Sequence, residues 1–195
     1  MQVFDNSKAQ GVTAEAWLYL GVFAVFISLR LISWSNGPLL EASDAIGLMG
    51  TIKYFLALDF QTLIESSPDY TPFYPAFGAL FSAIAGSVEN GARLCSLFFS
   101  CIVFVSIIGI GRKIATPFEV TLGLILLAIS PYLVRFSYSV LTEPSYIGTI
   151  YAGFWLFWCK LDNPRIRYGV ALGVIFSLGF LNRIEGILYL SLIHI

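Results

Sequence analysis

The sequence predicts an all-α fold, a polytopic bundle of membrane helices with interfacial helices in its first extracytoplasmic loop. Three observations predict it. The 195 residues are 57% hydrophobic and 12% charged, whereas ordinary soluble chains carry about 25% charged residues. Apolar runs near the roughly 20 residues that cross a bilayer recur along the chain. The aromatic content of 16% suits rings placed at membrane interfaces. A net charge of -1 gives no sign of a nucleic-acid partner.

The first span is expected at about 15–33, AEAWLYLGVFAVFISLRLIS, ended by Asn36-Gly37-Pro38. It is too long for the apolar core of a signal peptide and no A-x-A cleavage pattern follows, so it reads as a membrane helix. Arg30 lies near its end, where a long side chain can reach the interface.

Residues 34–91 form the long outer loop, and carboxylates collect there: Glu41, Asp44, Asp59, Glu65 and Asp69. Within it, Ile46, Met49, Ile52 and Leu56 recur at helical spacing over 42–60 and predict an amphipathic helix lying along the membrane surface. Residues 76–86, AFGALFSAIAG, are too few to cross and predict a second interfacial or re-entrant helix.

Four more spans are expected at about 92–111, 118–133, 145–160 and 168–187. Thr116-Pro117 opens the third span, since proline suits a first helical turn, and Glu143-Pro144 precedes the fourth. Cys95, Cys101 and Cys159 sit inside these runs without metal-ligand spacing and read as small buried residues.

With these spans, Arg112, Lys113, Lys160, Arg165 and Arg167 fall in two short loops on the side of Lys8. The positive-inside rule then predicts a cytoplasmic N-terminus. Residues 34–91, the Ser130–Pro144 turn and the turn at Asn182 would face outward. The last residues, Leu190 to Ile195, read LSLIHI, the translation of CTG TCT CTT ATA CAC ATC, which begins a transposase end used as a sequencing adapter. Residues 190–195 are therefore expected to be foreign, the chain to be the N-terminal part of a longer protein (1–189), and His194 to have no function.

Several short motifs occur in a distinctive order. Asp44 follows the first span, then come T-P-F-Y-P (Thr71 to Pro75) and A-R-L-C-S (Ala92 to Ser96). G-R-K (Gly111 to Lys113), S-P-Y-L-V-R-F-S (Ser130 to Ser137), T-E-P (Thr142 to Pro144) and L-N-R-I-E-G (Leu181 to Gly186) follow. In this order they resemble the membrane glycosyltransferases of the protein O-mannosyltransferase and aminoarabinose-transferase type, within the GT-C superfamily (glycosyltransferase family 39-like).

The resemblance implies a multi-pass inner (plasma) membrane enzyme. It would move a sugar from a polyprenyl-phosphate carrier to a lipid, glycan or protein acceptor at the extracytoplasmic face. It also implies that the family's two loop acids fall on Asp44 and Glu143. The chain departs from the family where Asp-Glu becomes Asp44-Ala45 and His-Pro-Pro becomes Tyr70-Thr71-Pro72, which leaves the acceptor open. A fragment with five spans is expected to be inactive alone.

Transfer from a lipid phosphate needs a base for the acceptor and positive charge where the phosphate departs. A carboxyl group at an interface is partly desolvated, which strengthens it as a base. Asp44 is the candidate base; its plainer reading is a charge favoured in the first turn of a helix. Glu143 would position acceptor and phosphate or bind a divalent metal, or else serve only the dipole of its helix.

Arg135 and Arg183 are candidates for the departing phosphate, which arginine holds bidentately; otherwise they reach the interface or Arg183 pairs with Glu185. Tyr70 and Tyr74 would line the sugar or lipid path or belong to an interfacial aromatic belt. Asp69 is a reserve acid, and Asp59 and Glu65 read as solvated loop charges. A transporter or flippase without catalysis, or an inactive scaffold, is the alternative. Transporters place ionisable groups near the bilayer midplane, whereas here the acids gather at one rim.

Overall fold

The computed structural model describes residues 6–36, 43–66, 71–162 and 165–183, and among them the regular structure is entirely helical. Helix α1 (Asn6–Asn36) contains the first span. Three helices follow: α2 (Ser43–Ala57), α3 (Phe60–Ser66) and α4 (Phe73–Ala85). The others are α5 (Val88–Ile114), α6 (Pro117–Ile129), α7 (Pro131–Phe136), α8 (Glu143–Asp162) and α9 (Ile166–Asn182). Residues 14–36 and 88–114 are each long and apolar enough to cross a membrane. Together with the apolar residues exposed along α1, α6 and α9, such as Trp17, Phe118 and Val170, they mark an integral membrane protein.

Two apolar cores hold the bundle. Tyr19 and Phe26 of α1 meet Phe104 of α5 and Val120, Leu124 and Ala128 of α6. The rings of Phe26 and Phe104 lie 4.9 Å apart in a tilted arrangement favoured by aromatic quadrupoles. The second core joins Ala45, Leu48 and Ile52 of α2, Phe73, Tyr74 and Ala79 of α4, Ala92, Cys95 and Phe99 of α5, and Val140. Helix α8 lies along α5, where Gly148 faces Phe99 and Gly109 faces Trp155, and α9 returns beside α8 with Phe176 on Gly153. A Cβ at Gly109 would collide with the Trp155 ring, so the absence of a side chain there sets how closely α5 and α8 approach.

These contacts fix the direction of each helix. At one end, Glu15 of α1 pairs with Arg112 of α5 at 3.2 Å, and Lys113 donates to the carbonyl of Trp158 in α8. The opposite end holds the close of α1, α6 and α9, the start of α5 and α8, and α2 to α4. Helix α4 and the start of α5 form an antiparallel hairpin. Gly86 turns it in the left-handed region at φ 73°, which favours glycine. Ser87 then caps α5 by accepting from the Asn90 amide.

Three expectations are corrected. The run at 118–133 is not one helix, because Ser130-Pro131 divides it into α6 and α7. Proline has no amide to continue the ladder and disfavours helical geometry in the residue before it. In α2 the expected stripe shifts: Ala45, Leu48 and Ile52 are buried, whereas Ile46 and Leu56 are exposed, because α2 is packed on α4 through Ile52 and Gly78.

Arg30 does not reach the interface. It is 1% exposed and lies inside the bundle, its guanidinium 3.4 Å from the centroid of the Phe26 ring. Its Nη1 donates to the Phe26 and Ala128 carbonyls at 3.0 and 3.2 Å, its Nη2 to the Leu127 carbonyl at 3.3 Å, and its Nε to Ser137 Oγ at 2.8 Å. Pro131 cannot supply the amide that Leu127 would otherwise accept, so Arg30 caps the open end of α6. Residues 184–195, with Glu185, His194 and the suspected adapter translation, lie outside the described residues, as do Glu41, Asp69 and Tyr70.

Candidate functional site at the loop-bearing end of the bundle

Glu143 opens α8 and Arg183 follows the last residue of α9. The antiparallel return of α9 brings them together, with Arg183 Nη1 3.1 Å from Glu143 Oε1 and each side chain 35% exposed. The sequence offered Glu185 as a partner for Arg183; among the described residues, Glu143 fills that place. Tyr146, one turn along α8, lies beneath the guanidinium with its ring centroid 5.8 Å from Arg183 Cζ. Glu143 Oε2 is buried and accepts no hydrogen bond among the described residues. A carboxylate oxygen left in this condition is poised to accept a bond from a ligand hydroxyl.

Asn182 locks the ends of α8 and α9 beneath this pair. Its Nδ2 donates to Ser145 Oγ at 2.8 Å, and Ser145 Oγ donates to the Thr142 carbonyl, also at 2.8 Å. Thr71, in the motif before α4, donates to the Asn182 carbonyl at 2.5 Å. The two motifs T-P-F-Y-P and L-N-R-I-E-G are thus joined by hydrogen bonds across 111 positions of sequence. Asn182, Ser145 and Thr71 were not among the candidates from sequence. The asparagine at the close of an apolar helix was the available signal, since a buried amide needs several partners.

Tyr74 is fully buried. Its hydroxyl donates to the Ala92 carbonyl at 3.0 Å and lies 3.2 Å from Ser96 Oγ, which donates to the Ser139 carbonyl at 2.7 Å. Burial pushes the Tyr74 phenol well up from its usual pKa, so it is a fixed donor. It is neither in an exposed path nor in an interfacial belt; it ties α4 and α5 to the turn before α8.

Asp44 is exposed in the first turn of α2, next to buried Ala45. Because Ala45 shares its core with Tyr74 and Val140, Asp44 and Glu143 belong to the same end of the bundle. Arg135 is exposed in the last turn of α7, and its carbonyl accepts from Ser139 Oγ. Asp59, expected as a solvated loop charge, caps α3 by accepting from the Thr62 amide at 3.1 Å. All three cysteines are free thiols, with Cys95 buried.

No group of three or more His, Cys, Asp or Glu residues among the described residues could hold a metal ion. Glu143 remains the single carboxylate that the sequence offered for a metal, and its Oε1 is engaged by Arg183.

No curated protein and no solved structure matches the chain. A family model does match, over residues 68–194, a stretch containing Tyr74, Arg135, Glu143 and Arg183 but starting after Asp44. On this match the chain belongs to the dolichyl-phosphate-mannose-protein mannosyltransferase family, membrane glycosyltransferases of the GT-C type that use a polyprenyl-phosphate sugar donor.

Proposed function

We propose that the end of the bundle bearing Asp44, Glu143 and Arg183 is where a hexose or pentose passes from the polyprenyl phosphate to an acceptor hydroxyl at the extracytoplasmic face. The observation that carries the reading is the Glu143–Arg183 pair, at 3.1 Å, with a buried carboxylate oxygen still open, inside the family match. The N-terminus is then cytoplasmic, the membrane is the inner (plasma) membrane, and the Arg112-Lys113 end faces inward.

The reaction is a single displacement. Asp44 takes the proton of the acceptor hydroxyl, and the freed oxygen attacks the anomeric carbon. The bond from that carbon to the phosphate oxygen breaks, and polyprenyl phosphate leaves with the electron pair. Attack opposite the leaving group inverts the anomeric centre. Arg183 and Arg135 offset the growing phosphate charge, and Glu143 Oε2 orients the acceptor while its other oxygen holds Arg183. The acceptor is a lipid, a glycan or a protein.

The test is transfer by the complete full-length protein in proteoliposomes from a radiolabelled polyprenyl-phosphate sugar. Loss of a general base lowers kcat by about 100-fold or more. Asp44→Asn is expected to show that loss with donor binding retained. Full activity in this variant would remove Asp44 from the mechanism.

A further inference from the structure

The end of the bundle opposite the proposed transfer site carries a surface of its own. Arg112 and Lys113 lie at the close of α5, Arg165 and Arg167 at the start of α9, and all four are exposed. Lys113 donates to the Trp158 carbonyl near the close of α8, which sets the two basic pairs on neighbouring helix ends. The carboxylates described at this end are already engaged. Glu15 holds Arg112 at 3.2 Å, and Glu119 accepts from the Thr116 amide and hydroxyl at 2.7 and 2.8 Å. Positive charge is in surplus among the described side chains.

Apolar side chains stand among these cations. Ile166, between the two arginines, is 87% exposed, and Phe118, in the first turn of α6, is 76% exposed. They are the two most exposed large apolar side chains among the described residues. Ile114, next to Lys113, is also exposed. Water disfavours such side chains, and a hydrocarbon core disfavours the charges beside them. The headgroup boundary of a bilayer suits both, since apolar groups enter the acyl layer there while cations meet phosphate.

A headgroup of net negative charge complements the surplus, whereas a zwitterionic one does not. We propose that this surface docks an anionic phospholipid, with Lys113, Arg165 and Arg167 facing its phosphate diester and Ile114, Phe118 and Ile166 against its acyl chains. The Tyr168 ring, with its centroid 5.1 Å from the guanidinium carbon, steadies Arg167. The surface shares no residue with Asp44, Glu143 or Arg183, so it stands apart from the transfer reading.

The experiment is binding of acyl-labelled phosphatidylglycerol to the complete full-length protein, purified in a neutral detergent. Wild type is expected to bind it at least about tenfold more tightly than phosphatidylcholine. That preference should shrink as salt rises from roughly 0.1 M to 1 M, because screening shortens the reach of the charges. One cation near an anionic headgroup is worth about fivefold in affinity. The double variant Arg165→Gln, Arg167→Gln is therefore expected to bind phosphatidylglycerol about tenfold or more weakly. It should keep the wild-type melting temperature, because Arg165 makes no side-chain cap bond and Arg167 reaches the neighbouring Tyr168.

Ile166→Ser removes apolar contact but no charge, so it should weaken both lipids severalfold at an unchanged preference. Equal binding of the two lipids, or wild-type affinity in either variant, would overturn the proposal. Competition by soluble glycerol phosphate as strong as by the lipid would overturn it too, since the acyl chains would then play no part.

Discussion

Arg30 and Arg183 lie at the same end of the bundle, each against the C-terminus of a helix, and they are satisfied in opposite ways. Arg30 is 1% exposed and spends four N–H groups on three carbonyls and a serine. Arg183 is 35% exposed in its side chain and meets a carboxylate that keeps one oxygen open. The first arrangement completes a broken backbone ladder. The second leaves one carboxylate oxygen without a hydrogen-bond partner among the described residues, which is the capacity a ligand requires. Two arginines at the same end of the bundle are therefore separated into frame and site by what surrounds them.

Stability is where the contrast should be largest. Arg30→Met leaves the Leu127 and Ala128 carbonyls of α6 without their partner, and each buried orphan costs about 1–3 kcal/mol. We expect a loss of about 2–4 kcal/mol, read as a lower unfolding midpoint in detergent. Arg183→Met removes one half-exposed pair and should cost at most about 1 kcal/mol. Equal losses, or the reverse order, would break the distinction.

The same contrast shows what the sequence could and could not reveal. Apolar runs and the prolines at 117 and 144 were enough to find most of the helices, because span length and proline chemistry act locally. Charge bias set Glu143 and Arg183 on one face, but their pairing depends on the antiparallel return of α9. Arg30 was misread because an arginine near the end of its own helix usually reaches the interface. Here the end that matters belongs to α6, about 100 positions away in sequence. The break at Ser130-Pro131 was visible as a dipeptide, yet a hydrophobic count runs straight over it. Tyr74 looked interfacial for a similar reason: its acceptors lie on α5, out of sight of its own motif.

Activity should divide the two arginines the other way. Glu143→Gln keeps the size of the side chain but removes the charge facing Arg183. If Glu143 Oε2 orients the acceptor, kcat/KM for transfer should fall roughly 10-fold or more, about 1.4 kcal/mol of barrier. The unfolding midpoint should barely move, since a half-exposed pair contributes about 0–1 kcal/mol. A drop in stability with transfer unchanged would make Glu143 a frame residue like Arg30.

The smallest effect lies in α3. Asp59 accepts from the Thr62 amide at 3.1 Å, and hydrogen bonds from the Thr62 hydroxyl and amide hold its carboxyl below the ordinary value of 3.8. A depressed folded-state pKa means that the cap is fully present above the ordinary value and is lost as pH falls below it. Amide exchange in α3 should therefore keep a constant protection factor from pH 7 to about pH 5 and lose protection below about pH 4. Asp59→Asn, which still caps a helix but does not titrate, should give a flat profile. The amides of α6 above Arg30 should remain protected throughout, because a guanidinium stays charged across this range. If α6 opened along with α3 on acidification, α3 and the Arg30 frame would be one cooperative unit, and the separation of frame from site would not extend to α3.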